Sequence, residues 1–262
     1  MKEQNKKYDV IIKSGIKDYC KLKHVINSIK FLNPQPSKIY LINPDGYKPE
    51  NTKYDDIIIT VKDEDALPGC DREEIKYRKN WCFAQFIALF QDITEQDYYL
   101  DIQSDNFFLN PIDLFDKDGK PNFFMSPQHS HYCEAYFKFT EHMFDLEKVA
   151  DDSFIVEFMM YNKKITKELL NKYGNDHKIF FKEACKITTK ECCISDQDSY
   201  ANWCLKHHPE KYNVIKDLYT EITGKYYPET YTEEEINDIL ISYEGTAKVA
   251  ISLHTWNDGT PS

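Results

Sequence analysis

A chain of 262 residues with 41% apolar content is long enough for one large α/β domain with a real core. Its formal net charge of −11 removes any general attraction to nucleic acid or anionic lipid, although a local basic cleft can still hold a phosphate ligand. No apolar run reaches the roughly 18 to 20 residues of a membrane span. The charges of Met1 to Tyr8 have no apolar core behind them, so a cytoplasmic protein without a transmembrane segment is expected.

Residues 8–13 read as a short buried strand ending at Lys13. Asp18 then opens an amphipathic helix through Leu22, Val25, Ile26, Ile29 and Leu32. Pro34 and Pro36 stop that helix, and residues 38–43 and 54–61 read as the second and third strands. Residues 62–80 form a loop that runs into a helix carrying Trp81, Phe83, Phe86, Ile87 and Phe90 on one face. Residues 98–102 are the next strand and feed into the polar cluster Gln103, Ser104, Asp105 and Asn106.

Strands alternating with helices imply a mostly parallel sheet covered on both faces, in which ligands sit beyond the carboxyl ends of the strands. Further on, 116–121 is a turn, 122–126 and 153–161 are strand candidates, and 165–170 is a helix. Thr232 and Glu235 form a capping box before a helix through Ile236, Ile239 and Leu240. Residues 249–253 form a late strand that ends at His254. No repeat or linker divides the chain, so residues 1–262 are expected to form a single domain.

Asp101, Gln103 and Asp105 alternate and share one side if the segment is extended. Acids at such a point suit a divalent cation, and equally a solvated turn. Lys76, Arg78 and Lys79 form a basic patch before Trp81 that suits either a diphosphate or solvent. Lys13, at a strand end, is a further candidate for ligand contact. Ser195, Asp196 and Asp198 precede a helix and read either as a cap with first-turn acids or as carboxylates for general-base work. Asp198 is preferred for that role, since Asp196 is explicable as a capping residue. His207, His208 and Pro209 read as a helix end and a proline stop. The eight cysteines lack paired metal-ligand spacing, and free buried thiols are expected. The 15% aromatic content suits stacking on bases or sugars and, more simply, packing.

The run Gln103-Ser104-Asp105-Asn106-Phe107-Phe108-Leu109-Asn110-Pro111-Ile112 resembles the central motif of uncharacterised bacterial and viral glycosyltransferases of GT-A fold, an Asp-x-Asp followed by an apolar stretch and Pro-Ile. Similar stretches lie in order at 10–13 with Asp18, at 81–85, 119–121, 153–156, 195–200, 208–209 and 252–256, touching nearly the whole chain. The resemblance implies a Rossmann-like, mostly parallel sheet, with a donor-side half at about 1–115 and a mixed acceptor-side half at about 116–262.

It also implies a nucleoside-diphosphate sugar held by Lys13, Arg78, Trp81, Gln85, Gln103, Ser104 and Asp105, and a metal site of Asp105, His254 and Gln103. Asp198 or Asp196 would be the catalytic carboxylate. A mixed oxygen and nitrogen donor set suits Mn²⁺, or Mg²⁺, better than a structural zinc. The first Asp of the motif is Gln103 here, a neutral group that weakens metal affinity. The expected activity is transfer of a sugar to a hydroxyl of a glycan, lipid or protein. The alternative is a nucleotide-sugar or glycan binding protein of the same fold with little or no turnover. A phosphoryl-transfer enzyme fits less well, because no Walker-type loop occurs.

Overall fold

The computed structural model describes residues 6–90, 92–125, 134–150, 153–216, 219–226 and 229–256. In chain order the first half holds β1 (Tyr8–Lys13), α1 (Tyr19–Ser28), β2 (Leu32–Asn33), β3 (Ile39–Asn43), β4 (Ile58–Lys62), α2 (Asp63–Ala66), α3 (Lys79–Leu89), β5 (Tyr98–Gln103) and β6 (Asn106–Phe108). The second half holds β7 (Ile112–Asp113), β8 (Asn122–Met125), α4 (Glu134–Phe144), β9 (Phe158–Asn162), α5 (Lys163–Leu169), α6 (His177–Ile187), α7 (Asp196–His207), β10 (Asn213–Lys216), β11 (Tyr219–Tyr226), α8 (Glu233–Ser242) and β12 (Ala250–Trp256).

The central sheet runs β4-β3-β1-β5-β9; the first four strands are parallel, and β9 pairs antiparallel with β5 at the edge. This is a mixed α/β architecture with a mostly parallel, Rossmann-like sheet. Strand alternation sends Ile11, Tyr40, Ile42 and Tyr99 into a core shared with Phe86 of α3, Phe180 of α6 and Tyr200 of α7. Val10, Ile12, Leu41 and Leu100 face the opposite core with Leu22 and Val25 of α1, and with Phe107 and Leu253 of the small sheet β11-β12-β6. Two faces buried under different layers explain why these strands read as continuous apolar runs.

Local signals decide several element ends. The Thr232 and Glu235 side chains each accept the other's backbone N–H, completing the capping box of α8. The Ser195 hydroxyl accepts from Asp198 N at the start of α7, so Ser195 is the cap and Asp196 is the first helical residue. That helix ends at His207, and Pro209 opens a short 3-10 turn.

Several expected elements differ, and the loop expected over 62–80 holds α2 and a 3-10 turn at Arg72–Glu74. The first helix closes at Ser28, and Leu32 belongs to β2 rather than to the helix. Residues 55–57 are a 3-10 turn, so the third strand starts at Ile58. The strand expected over 153–161 begins only at Phe158. Before it, Phe154 N donates to Asp198 Oδ1 (2.9 Å) and Val156 N to Gln197 Oε1 (3.0 Å). Side chains of α7 thus take the bonds that a neighbouring strand would have made. Helices α4 and α6 were not anticipated, and Ser126 of the expected 122–126 strand lies outside the described residues.

Candidate functional site

The carboxyl ends of β1 and β5 lie side by side, with Lys13 in register with Gln103. After Gln103 the chain turns, and Asp105 sits in that turn rather than on the extended line of Asp101 and Gln103. Leu253 N of β12 donates to the Asp105 carbonyl (2.8 Å), which brings the tip of β12 against the turn. His254 Nδ1 then lies 3.2 Å from Asp105 Oδ2, and each side chain is 15% exposed. His254 was expected after the last strand; it lies within β12, because pairing with β11 continues to Trp256. Gly224 of β11 passes so close that a Cβ there would stand 2.4 Å from the His254 carbonyl oxygen. Only glycine fits that approach.

The pair is braced from α1. Lys21 is wholly buried, and its ammonium donates to Asp18 Oδ1 (2.8 Å), Leu253 O (2.7 Å) and Thr255 Oγ1 (3.0 Å). Those last two acceptors flank His254 in sequence, so two of the three Lys21 donors fix the strand that carries it and the third ties that strand to Asp18. Lys17 adds a bond to Thr255 O (2.6 Å), and Ser104 Oγ donates to Asp18 Oδ2 (3.4 Å). Burial works to raise the Asp105 carboxyl, but the His254 imidazole, with Lys21 and Lys17 behind it, outweighs burial and holds it below the usual carboxylate range. Asp18 goes the other way: burial, helped by nearby Asp105, outweighs Lys21 and raises it. Asp105 therefore keeps its charge at neutral pH.

A second polar cluster lies on the α7 side of the sheet. Lys13 Nζ pairs with Asp101 Oδ2 (2.8 Å), both buried. Tyr161 donates to Asp196 Oδ2 (2.7 Å), and the Asp196 N–H reaches Gln85 Oε1 (3.4 Å). Asp101 Oδ1 and Asp196 Oδ1 are buried with no partner among the described residues. Burial raises Asp101 to about 6 against the pull of Lys13, with Asp196 adding to the rise, and burial raises Asp196 as well. Asp198 is also fully buried and is pushed up by burial to about 6, with the Phe154 N–H opposing.

The nominated residues thus divide. Asp105, Ser104 and His254 come together with Asp18 and Lys21. Lys13, Gln85 and Asp196 gather on the α7 side with Asp101, which is spent on Lys13. Gln103 follows Asp101 onto that side by strand alternation, and no hydrogen bond joins it to Asp105 or His254. Arg78, in a left-handed conformation (φ 45°) before α3, lays its guanidinium 4.2 Å from the Trp81 ring centre and donates to Tyr136 OH (3.2 Å). That is a cation on an aromatic platform. Lys21, Tyr161 and Gly224 were not singled out from the sequence. The legible trace was Lys21 itself, a lysine beside the apolar stripe of α1 and three residues after Asp18.

Among the described residues no three His, Cys, Asp or Glu side chains gather as a metal centre. Asp105 and His254 supply one oxygen and one nitrogen donor, an ionised carboxylate and a largely buried imidazole, which is suitable donor chemistry for a divalent cation that also takes oxygens from its ligand. The seven described cysteines are free, and Cys82 Sγ lies 3.6 Å from Cys193 Sγ. Among the described residues no helix is long and apolar enough to cross a membrane. No protein-family model matches the chain, and no curated protein matches it in sequence.

Proposed function

We propose that the chain is a glycosyltransferase of GT-A type that moves a sugar from a nucleoside-diphosphate sugar to a hydroxyl acceptor. The observation that carries this reading is the meeting of Asp105 and His254, 149 residues apart in sequence, at the carboxyl edge of a mostly parallel sheet. Asp105 and His254 would hold Mn²⁺, or Mg²⁺, and that ion would neutralise charge on the departing diphosphate. Lys17 stands at the exposed rim beside them and adds positive charge. Arg78 and Trp81 offer a second cationic and aromatic surface to the donor.

On the acceptor side Asp196 is the better-equipped carboxylate. It keeps one oxygen unengaged, whereas Asp198 accepts from the Phe154 N–H and the Ser153 hydroxyl. Its raised carboxyl suits a general base working near neutrality. A second reading, a nucleotide-sugar binding protein without turnover, is favoured by the neutral Gln103 and by the complete burial of both Asp196 and Asp198.

The test is release of nucleoside diphosphate from a panel of nucleotide sugars with Mn²⁺. The native chain should hydrolyse at least one donor slowly and Asp105→Ala should not. Donor binding without release or transfer supports the second reading, and indifference to every donor removes both. Gln103→Asp should tighten Mn²⁺ binding if the amide shares the metal shell, and leave it unchanged if the side chain stays on the α7 side.

A further inference from the structure

A groove of about 520 Å³ opens between β7, β8 and β10, away from Asp105 and His254. Its size is that of a small-molecule site. Its floor is apolar, from buried Ile112, Phe124 and Val249, and the Phe115 ring forms one wall. The rim is polar and partly preset. Asn213 Nδ2 donates to Asp116 Oδ2 (2.8 Å) and to Asn122 Oδ1 (3.2 Å), which fixes the amide and leaves Asn213 Oδ1 without a partner among the described residues. Asp113 Oδ1 accepts from Asn33 (2.6 Å), leaving its second oxygen available. Lys117 lines the same rim and makes no ion pair with any described residue.

We infer that this groove binds a neutral oligosaccharide and, resting on the transferase reading above, that it holds a glycan at a subsite remote from the reaction centre. An apolar floor under a rim of fixed acceptors and one free donor matches a sugar ring, which offers a C–H face to the floor and hydroxyls to the rim. Two carboxylates against one ammonium disfavour phosphate, so the groove is not a second donor site. The Phe115 ring packs edge-on against Tyr8 and Tyr98, the first residues of β1 and β5, so the groove lies at the opposite edge of the central sheet from Asp105 and His254. Leu109 N donates to Val249 O (2.9 Å) at its edge, and β6 and β12 run antiparallel from there to Asp105 and His254. Val249 and His254 are five residues apart along extended chain, about 17 Å, and Ala250 to Leu253 between them are fully buried, so the groove is a subsite separate from the reaction centre.

The experiment titrates native protein, without metal or donor, with cellohexaose, xylohexaose, maltohexaose and chitohexaose by calorimetry and amide NMR. At least one should bind and shift the amides of Asn213 and Asp113. Asn213→Leu and Asp113→Ala should each weaken it tenfold or more. Asp113 is exposed, so its variant keeps the test valid if the Asn213 variant fails to fold. No binding by any hexasaccharide, or binding untouched by both variants, overturns the proposal. Asp105→Ala should bind the sugar as the native chain does. Donor hydrolysis that survives without any sugar binding removes the groove alone, whereas sugar binding without donor binding leaves the groove standing and removes the transferase.

Discussion

Asp198→Asn is expected to stabilise the protein at neutral pH. The carboxylate is fully enclosed, and burial raises it from 3.8 to about 6. Those roughly two units amount to about 3 kcal/mol at 1.36 kcal/mol per unit, the cost of keeping the group ionised in the fold above pH 6. The sign follows from proton binding. Between about pH 4 and 6 the native state holds a proton that the unfolded chain has released, so native stability falls as pH rises through that window and levels off above it. The asparagine oxygen still accepts from Phe154 N, and its amide hydrogens can reach Ser153 Oγ. The variant therefore keeps the brace on residues 153–154 and loses the charge. Urea unfolding, followed by fluorescence, should give equal stabilities near pH 4 and a variant advantage of up to about 3 kcal/mol at pH 7.5. A variant less stable than native at pH 7.5, or a difference that does not change with pH, would refute the reasoning. It would mean that the charge of Asp198 is solvated or specifically paired.

Lys21→Met leaves Asp18 and the Leu253 carbonyl without their buried partner and should cost about 3–5 kcal/mol in urea unfolding, with part recovered in the double variant Lys21→Met, Asp18→Asn; a loss below about 1 kcal/mol would mean that the pair is exposed in solution. Gly224→Ala should both lower the melting temperature and weaken Mn²⁺ binding, because the added Cβ meets the His254 carbonyl; unchanged metal affinity would separate the two. Thr232→Ala removes half of the capping box and should cost about 1 kcal/mol, with faster amide exchange in the first turn of α8 and nowhere else.

The parts of the fold that depend on neighbours in sequence were readable. The four parallel strands β1, β3, β4 and β5, helices α1 and α3 between them, and the capping box of α8 follow from periodicity and end signals within a few residues. What escaped depends on partners far along the chain. Residues 153–157 have a strand's composition, yet Gln197 and Asp198, about forty positions later, take their N–H groups. Asp105 alternates with Asp101 and Gln103 on paper, but the turn that opens β6 lifts it to the other side, toward α1 and β12. Lys21 has the composition of a surface residue and is wholly buried, because Asp18 and the end of β12 satisfy its charge and donors. Of the candidate site, Asp105 and His254 were expected in one place, and the structure brings their side chains to 3.2 Å. Their meeting followed only from the resemblance, because the pairing of β12 with β6 that makes it is long-range, and Gln103, expected with them, lies on the other side.

The central claim is that Asp105 and His254 jointly hold a cation that binds a nucleotide sugar. The most direct measurement is the melting temperature with Mn²⁺ and nucleotide sugars, separately and together, for the native chain, Asp105→Ala and His254→Ala. Binding to the folded state raises the melting temperature with ligand concentration. The native chain should show a rise with at least one nucleotide sugar that is larger with Mn²⁺ present, and both variants should lose that increment. An equal increment in the variants, or none in the native chain for any nucleotide sugar, would contradict the account.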